Sequence, residues 1–159
     1  MKTLTCWADD EAATDRLGRT LAELLPVGST VALWGTLGAG KTRLVQAIAA
    51  GCGVDPEQVV SPTFVLCHQY EGTRTIYHLD AYRLRGEDDL WDIGLEQYLS
   101  APAITLIEWA DRVPGCLPEE HLRVEIEVRG RQSRSFQLTG VGRRYESVLD
   151  ELSQRLAPA

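Results

Sequence analysis

The sequence predicts an α/β fold in which helices flank a mixed β-sheet. Helical periodicity alternates with short strand-like runs along the chain. Residues 103–107 form a continuous apolar run, as in a buried parallel strand, whereas residues 122–128 alternate between apolar and charged side chains. The 159 residues are enough for one compact core, so we expect a single domain over 1–159.

The first half of the chain contains two helical patterns and three strand patterns. Leucines at helical spacing precede Pro26, which stops a helix, and a second helical pattern ends before Gly53. A short apolar run of strand-forming residues ends at a glycine-rich loop. The predicted elements are a helix over 10–25, a strand over 30–34, a helix over 42–52, and an antiparallel hairpin of strands over 64–70 and 74–80.

The second half of the chain continues the alternation. A helical pattern is interrupted near Gly94, and a turn at Gly130 follows the alternating strand. The predicted elements are a helix over 87–99, a strand over 103–107, a hairpin of strands over 122–128 and 135–138, and a terminal helix over 145–156.

Charge and cysteine content narrow the class of protein. There are 16 Lys and Arg against 23 Asp and Glu, a net charge of −7, which argues against a stand-alone nucleic-acid binder or a membrane-surface protein. The four cysteines form no Cys-x-x-Cys pair and the three histidines have no metal-ligand spacing, which indicates free thiols in a reducing cytosol. We expect no signal peptide, no membrane span and a cytoplasmic location.

Residues 35–42, GTLGAGKT, match the phosphate-loop pattern G-x-x-x-x-G-K-[ST] between a predicted strand and a predicted helix. The small residues allow backbone N–H groups to turn toward a phosphate, and the helix N-terminus adds partial positive charge. Lys41 would neutralise the β- and γ-phosphates, and the Thr42 hydroxyl would ligate Mg²⁺. The predicted nucleotide-binding residues of this loop are Gly35, Gly38, Ala39, Gly40, Lys41 and Thr42. The fold is therefore predicted to be a P-loop NTPase domain.

The base of the nucleotide is predicted from what the chain lacks. Guanine-specific P-loop proteins usually read the base with an Asn-Lys-x-Asp motif. The sequence contains no asparagine, and its only lysines are Lys2 and Lys41. ATP is therefore favoured over GTP.

Acids that follow predicted strands are candidates for catalysis beside a phosphate loop. Glu108 follows the more buried strand and is the better candidate for the metal side, whereas Asp80 could orient water or join the outer metal shell. The alternative is that each is a solvated strand-end carboxylate. Thr63, in a loop after the second helix, could sense the γ-phosphate, although a Ser-Pro-Thr segment is also an ordinary turn.

The order of these motifs resembles the bacterial tRNA threonylcarbamoyladenosine biosynthesis ATPase family, TsaE. The phosphate loop belongs to a large superfamily, but its combination with SPTF at 61–64, HLDAYRL at 78–84 and IEW at 107–109 is specific. The resemblance also takes in Gly94, the hairpin with Arg131 and the length, so it covers essentially the whole chain. Thr36 departs from the family, whose members often have Asp there, at a variable position of the loop.

The resemblance implies a small Mg²⁺-dependent ATPase, weak alone, that binds the TsaB–TsaD heterodimer and meets tRNA mainly through that complex. It would drive threonylcarbamoyl transfer to the adenosine beside the anticodon of certain tRNAs. It also implies that Thr42 and Glu108 ligate Mg²⁺, Asp80 lies near the γ-phosphate, and Trp109 and Arg131 border the nucleotide. Taken without the resemblance, Trp109 is more simply a packing residue.

Two other functions stay open at this point. One is a P-loop kinase of a small molecule, although no insertion for a lid is visible between Arg83 and Glu108. The other is a nucleotide-gated adaptor, in which ATP binding alters a partner surface and hydrolysis is incidental. Arg83 and Arg85 could stabilise transition-state charge, or they could pair with the acids at 87–89.

Overall fold

The computed structural model describes residues 1–36, 38–60, 67–82 and 84–157. The strands are β1 (Lys2–Ala8), β2 (Thr30–Gly35), β3 (Cys67–Glu71), β4 (Thr75–Asp80), β5 (Ile104–Glu108), β6 (His121–Val128) and β7 (Arg134–Val141). The helices are α1 (Glu11–Leu24), α2 (Lys41–Gly51), α3 (Glu87–Asp92), α4 (Leu95–Ser100) and α5 (Arg143–Leu156). None of the described helices is long and apolar enough to cross a membrane.

All seven strands form one mixed sheet in the order β1-β7-β6-β2-β5-β4-β3. The central strands β6, β2, β5 and β4 are parallel, whereas β1, β7 and β3 join as antiparallel neighbours. Because β2, β5 and β4 end at the same edge of the sheet, the residues after them lie close together. That edge carries the glycine-rich loop and both candidate acids.

The two faces of the sheet are covered by different helices. Helices α1, α2 and α5 bury the larger core, which includes Leu21, Ile48 and Leu149. The smaller core lies on the opposite face, where Leu90 and Leu95 of α3 and α4 pack. Strand β5 is buried on both faces, as its continuous apolar run predicts.

The predicted architecture is confirmed. The α/β class, the mixed sheet, the antiparallel β3–β4 hairpin and the helix break at Gly94 all match, and residues 64–66 of the first predicted hairpin strand lie outside the described part. Strand β1 was not predicted. Its apolar Leu4, Cys6 and Ala8 point inward in alternation with Thr3, Thr5 and an exposed Trp7, and β1 is an edge strand that pairs with β7 in the sheet.

Helices α1 and α2 cross at small residues. A Cβ at Gly18 would overlap the Cβ of Ala47 and lie 2.9 Å from its carbonyl carbon, and one at Gly51 would lie 2.6 Å from the Cβ of Ala22. The glycines are therefore required by the close approach of the two helices.

We predict that Gly18→Ala lowers the free energy of unfolding by about 1–2 kcal/mol, because the overlap with Ala47 outweighs the roughly 1 kcal/mol that alanine adds to helix propensity. Urea unfolding measures the change. The control is Arg19→Ala, an exposed position of the same helix, which should stay within about 0.5 kcal/mol of wild type. A Gly18→Ala protein as stable as the control would contradict the packing argument.

The thiol of Cys116 gives a pH-dependent contribution to stability. All four cysteines are free, and burial, together with the charges of Glu87 and Asp88, raises the pKa of Cys116 from 9.0 to about 11. Between these values the unfolded chain loses the proton and the folded chain keeps it, so this group lowers stability as the pH rises through that window. We predict a smaller loss of stability between about pH 8 and pH 10 for Cys116→Ala, measured by urea unfolding. An equal loss in both proteins would contradict this.

Candidate nucleotide-binding site

The glycine-rich loop joins the end of β2 to the start of α2. Gly38 and Gly40 have φ angles of 79° and 106°, in the left-handed region that favours glycine. Within the loop the Ala39 N–H donates to the Thr36 carbonyl at 3.0 Å. Residues 38–43, Glu108 and Trp109 line a cavity of about 320 Å³, so the loop and the end of β5 face the same space.

Lys41 is the first residue of α2 and is 5% exposed. Its ammonium donates to the carbonyls of Gly35 (2.7 Å) and Thr36 (3.0 Å) and lies 3.7 Å from the centre of the Trp109 ring. Burial lowers the pKa of Lys41, and nearby negative charges, foremost that of Glu108, oppose the shift. The lysine is thus a buried cation held at the mouth of the loop.

Thr42 and Glu108 meet across the cavity. The Thr42 hydroxyl lies 3.0 Å from Glu108 Oε1 and 3.1 Å from Oε2, and Glu108 is 2% exposed. Neighbouring oxygens of an octahedral Mg²⁺ site, with bonds of about 2.1 Å, lie about 3 Å apart. The hydroxyl and the carboxylate therefore fit two adjacent positions around Mg²⁺, and the other positions would be left to water and phosphate.

Asp80 and His78 lie beside Glu108 on the neighbouring strand. Asp80 is paired with Glu108 in the parallel β4–β5 register, and its Oδ1 accepts a hydrogen bond from the Tyr82 N–H at 2.9 Å. His78, fully buried and two residues earlier, lies on the same face of β4 and places Nε2 2.5 Å from Glu108 Oε2. The strand pairing brings the two predicted acids together and adds a histidine to them.

Trp109 follows Glu108 in a left-handed conformation, with φ 59° and ψ 36°, which is uncommon for a residue other than glycine. Its ring packs on Tyr82 at 4.8 Å between centroids, and the Arg112 guanidinium lies 5.1 Å from the centre of the Tyr82 ring. The two aromatic rings are therefore stacked between two cations, Lys41 and Arg112. The turn after β5 thereby places the Trp109 ring against the phosphate loop.

The β6–β7 turn approaches the loop from the other side. Arg134 Nε donates to the Ala39 carbonyl at 2.9 Å, which ties β7 to the loop. Arg131 is exposed and lines a cavity of about 130 Å³ that also includes Ala39, Gly40 and Thr14. The two cavities share residues of the loop, so Arg131 lies beside the loop.

The chain is similar to known proteins along nearly its whole length. Residues 8–136 match the family described as threonylcarbamoyl adenosine biosynthesis protein TsaE. The tRNA threonylcarbamoyladenosine biosynthesis protein TsaE of Bacillus subtilis is 36% identical over 97% of this chain and 96% of its own length. That of Treponema pallidum is 38% identical over 79% of this chain and 92% of its own length.

The chain belongs to the TsaE family. The crystal structure of Bacillus subtilis YdiB has the same fold, with a TM-score of 0.80, 30% sequence identity, and coverage of 97% of this chain and 96% of that one. The family takes part in tRNA threonylcarbamoyladenosine biosynthesis. A P-loop fold of this family is a nucleotide-binding fold, in agreement with the cavity at residues 38–43.

Most of the predicted site residues of this TsaE-family chain lie around one loop. The residues so gathered are Gly35, Gly38, Ala39, Gly40, Lys41, Thr42, Asp80, Glu108, Trp109 and Arg131. Thr63 and Arg83 lie outside the described residues, and Arg85 contacts Asp89 through its backbone N–H at 2.9 Å.

Three residues of the site were missed from the sequence: His78, Tyr82 and Arg134. For His78 a signal was present, because it stands two residues before Asp80 on one strand and so shares its face. Tyr82 and Arg134 act through contacts with distant parts of the chain, which no local pattern indicates.

Proposed function

We propose that this chain is the ATP-binding and ATP-hydrolysing subunit for threonylcarbamoyl modification of the adenosine beside the tRNA anticodon. The observation that carries the proposal is the contact of the Thr42 hydroxyl with both Glu108 oxygens, at 3.0 and 3.1 Å, beside a phosphate loop. An oxygen pair at that spacing, next to a helix N-terminus that favours phosphate, fits Mg²⁺ bound together with a nucleotide. When bound, Mg²⁺ would neutralise charge on the phosphate oxygens.

In the proposed reaction a water molecule attacks the γ-phosphorus of ATP, and ADP and inorganic phosphate leave. The loop N–H groups and Lys41 hold the β- and γ-phosphates, while Thr42 and Glu108 hold the metal. Asp80, 8% exposed and next to Glu108 in the sheet, lies near the γ-phosphate and orients groups around it. Because the loop lies at the ends of parallel strands, these groups are positioned by the sheet rather than by a flexible segment.

The nucleoside part of ATP is proposed to extend toward the β6–β7 turn. The cavity of about 130 Å³ is lined by Ala39 and Gly40 of the phosphate loop and is bordered by Arg131 and Arg43. Trp109 borders the opposite side of the phosphates, with its ring over Lys41. ATP is the proposed nucleotide, because the chain has no Asn-Lys-x-Asp motif with which to read guanine.

The partners are proposed to be TsaB and TsaD in the cytoplasm, with tRNA met mainly through that complex. The distribution of charge supports a subunit role. Residues 87–96 hold five acids, whereas residues 123–144 hold six arginines against two acids, so two oppositely charged segments are available for partners.

The test compares Thr42→Val with Thr42→Ser, because valine keeps the shape and loses the hydroxyl whereas serine keeps the hydroxyl. We expect Thr42→Val to reduce Mg²⁺-dependent ATP hydrolysis by about 10- to 100-fold, and Thr42→Ser to stay within a few-fold of wild type. Hydrolysis is measured alone and with the TsaB–TsaD pair, which should stimulate it.

One result would count against the proposed metal site, and two would count against the ATPase. Equal hydrolysis by both variants and wild type would remove the role of the Thr42 hydroxyl. A phosphorylated product formed from γ-labelled ATP and small metabolites would support a kinase instead. Full support of tRNA modification by a Glu108→Ala protein that binds ATP without hydrolysing it would support a nucleotide-gated adaptor.

A further inference from the structure

Glu108 has a second buried partner, His78, which the proposed reaction does not use. The Nε2 atom of His78 lies 2.5 Å from Glu108 Oε2, and the two side chains are 0% and 3% exposed. An ionised carboxylate only accepts hydrogen bonds, so the imidazole must donate its Nε2 proton to Oε2. A charge-assisted hydrogen bond of this kind, shielded from water, strongly restricts the orientation of the carboxylate.

The other nitrogen of His78 is held by Tyr70. The Tyr70 hydroxyl lies 3.4 Å from His78 Nδ1, 3.2 Å from His68 Nδ1 and 3.5 Å from the Val60 carbonyl. Burial raises the pKa of Tyr70, so the phenol keeps its proton. With a neutral His78 the phenol donates to Nδ1, and with a charged His78 it accepts from Nδ1 and donates to Val60. In both states Nε2 still donates to Glu108.

The carboxylate of Glu108 is held between two neighbours. Oε2 accepts from His78 on β4, and the Thr42 hydroxyl lies 3.0 Å from Oε1 and 3.1 Å from Oε2. Without the imidazole, the carboxylate of Glu108 would rotate more freely about its last side-chain bond. The hydrogen bond from His78 thus fixes the plane of the carboxylate beside the Thr42 hydroxyl.

We propose that His78 is the positioning residue for Glu108: it holds Oε2 so that the carboxylate stays beside the Thr42 hydroxyl, ready for a metal ion. Tyr70 holds the imidazole in turn, and His68 contacts the Tyr70 hydroxyl. This inference rests on the proposed function for the identity of the metal. In this proposal His78, the histidine of the HLDAYRL segment, orients the carboxylate of Glu108. His78 itself contacts neither the nucleotide nor the metal.

The test uses two amides that differ by one methylene. Glutamine at position 78 places its NH₂ group near the position of Nε2 and keeps a donor for Glu108, whereas asparagine reaches only the position of Nδ1. The readout is the gain in affinity for a non-hydrolysable ATP analogue when EDTA is replaced by Mg²⁺. We expect His78→Asn to lose about 10- to 100-fold of that gain, and His78→Gln to stay within about 3-fold of wild type. Affinity in EDTA should be equal in all three proteins.

Two outcomes would overturn the proposal. One is a full Mg²⁺ gain in His78→Asn. The other is an equal loss in both variants with wild-type melting temperatures, which would mean that the histidine only fills space. Tyr70→Phe, which removes one hydroxyl, should lose less of the Mg²⁺-dependent gain in affinity than His78→Asn. A larger loss would also contradict the series of hydrogen bonds from Tyr70 through His78 to Glu108.

A spectroscopic measurement on the metal-free protein decides the contact independently of hydrolysis and of variant stability. In ¹⁵N-labelled wild-type protein we expect the Nε2-bound proton of His78 to exchange slowly with water and to shift in Glu108→Gln. A rapidly exchanging proton, or one unaffected by Glu108→Gln, would overturn the proposal. If wild type shows this signal but neither hydrolyses ATP nor gains affinity from Mg²⁺, the proposed function fails and the positioning of Glu108 by His78 stands.

Discussion

Glu108→Gln is expected to lower Mg²⁺-dependent ATP hydrolysis by about 10²- to 10⁴-fold, the range typical of removing a charged group that acts on the transition state. Glutamine keeps the size of the side chain and one acceptor oxygen. The substitution therefore removes the negative charge beside Thr42 and His78 without changing the size of the side chain. A neutral amide oxygen is a weaker ligand for Mg²⁺ than a carboxylate. Glu108 is also only 2% exposed, so the interaction of its charge with the metal is weakly screened by solvent.

Binding without metal should change in the opposite direction. In EDTA the carboxylate of Glu108 repels the phosphates of ATP, so Glu108→Gln should bind the nucleotide as tightly as wild type or more tightly. Titration calorimetry with and without Mg²⁺ separates the two effects. Glu119→Gln, an exposed acid outside the site, is the control for the same chemical change. An unchanged rate of hydrolysis in Glu108→Gln would show that the Glu108 carboxylate does not take part in the reaction.

The centre of this site could be predicted from the sequence because its signals are local. The phosphate loop is a contiguous pattern, and its flanking strand and helix follow from apolar periodicity. Asp80 and Glu108 were found because parallel strands end at one edge of the sheet, so acids just after two apolar runs are brought together. The actual β4–β5 register, which pairs these two residues directly, agrees with that reasoning.

The rest depends on pairing between distant segments. Arg134 reaches the Ala39 carbonyl only because β7 packs beside β6, and β6 beside β2, an arrangement with no local signature. Strand β1 was missed for the same reason, since its partner β7 is more than 120 residues away in the sequence. The left-handed conformation of Trp109 likewise depends on what its ring packs against, here Tyr82 and Lys41.

The buried ammonium of Lys41 is the next group whose removal has a large expected effect. Lys41 is 5% exposed, and burial lowers the pKa of its ammonium despite the opposing charges of Glu108, Asp111 and Asp80. The net direction means that burial of the Lys41 ammonium costs free energy in the nucleotide-free fold. The carbonyls of Gly35 and Thr36 and the Trp109 ring hold the cation in the nucleotide-free protein.

Lys41→Met is therefore expected to weaken ATP binding by about 100-fold or more while leaving the nucleotide-free protein as stable as wild type, within about 1 kcal/mol. The loss of affinity follows from removing a charge-assisted contact to two phosphates, worth roughly 1.5–3 kcal/mol for each hydrogen bond. The unchanged stability follows because methionine fills a similar volume and removes the cost of burying an ammonium.

The chain supplies its own control, because its only other lysine is Lys2, exposed and paired with Asp150. Lys2→Met makes the same change in net charge and should bind ATP like wild type. Calorimetry measures the affinity and urea unfolding the stability of both variants. A Lys41→Met protein that loses several kcal/mol of stability would mean that Lys41 supports the fold through Gly35, Thr36 and Trp109. Its loss of binding would then reflect a damaged loop, whereas a stable protein without affinity ties that loss to the missing ammonium.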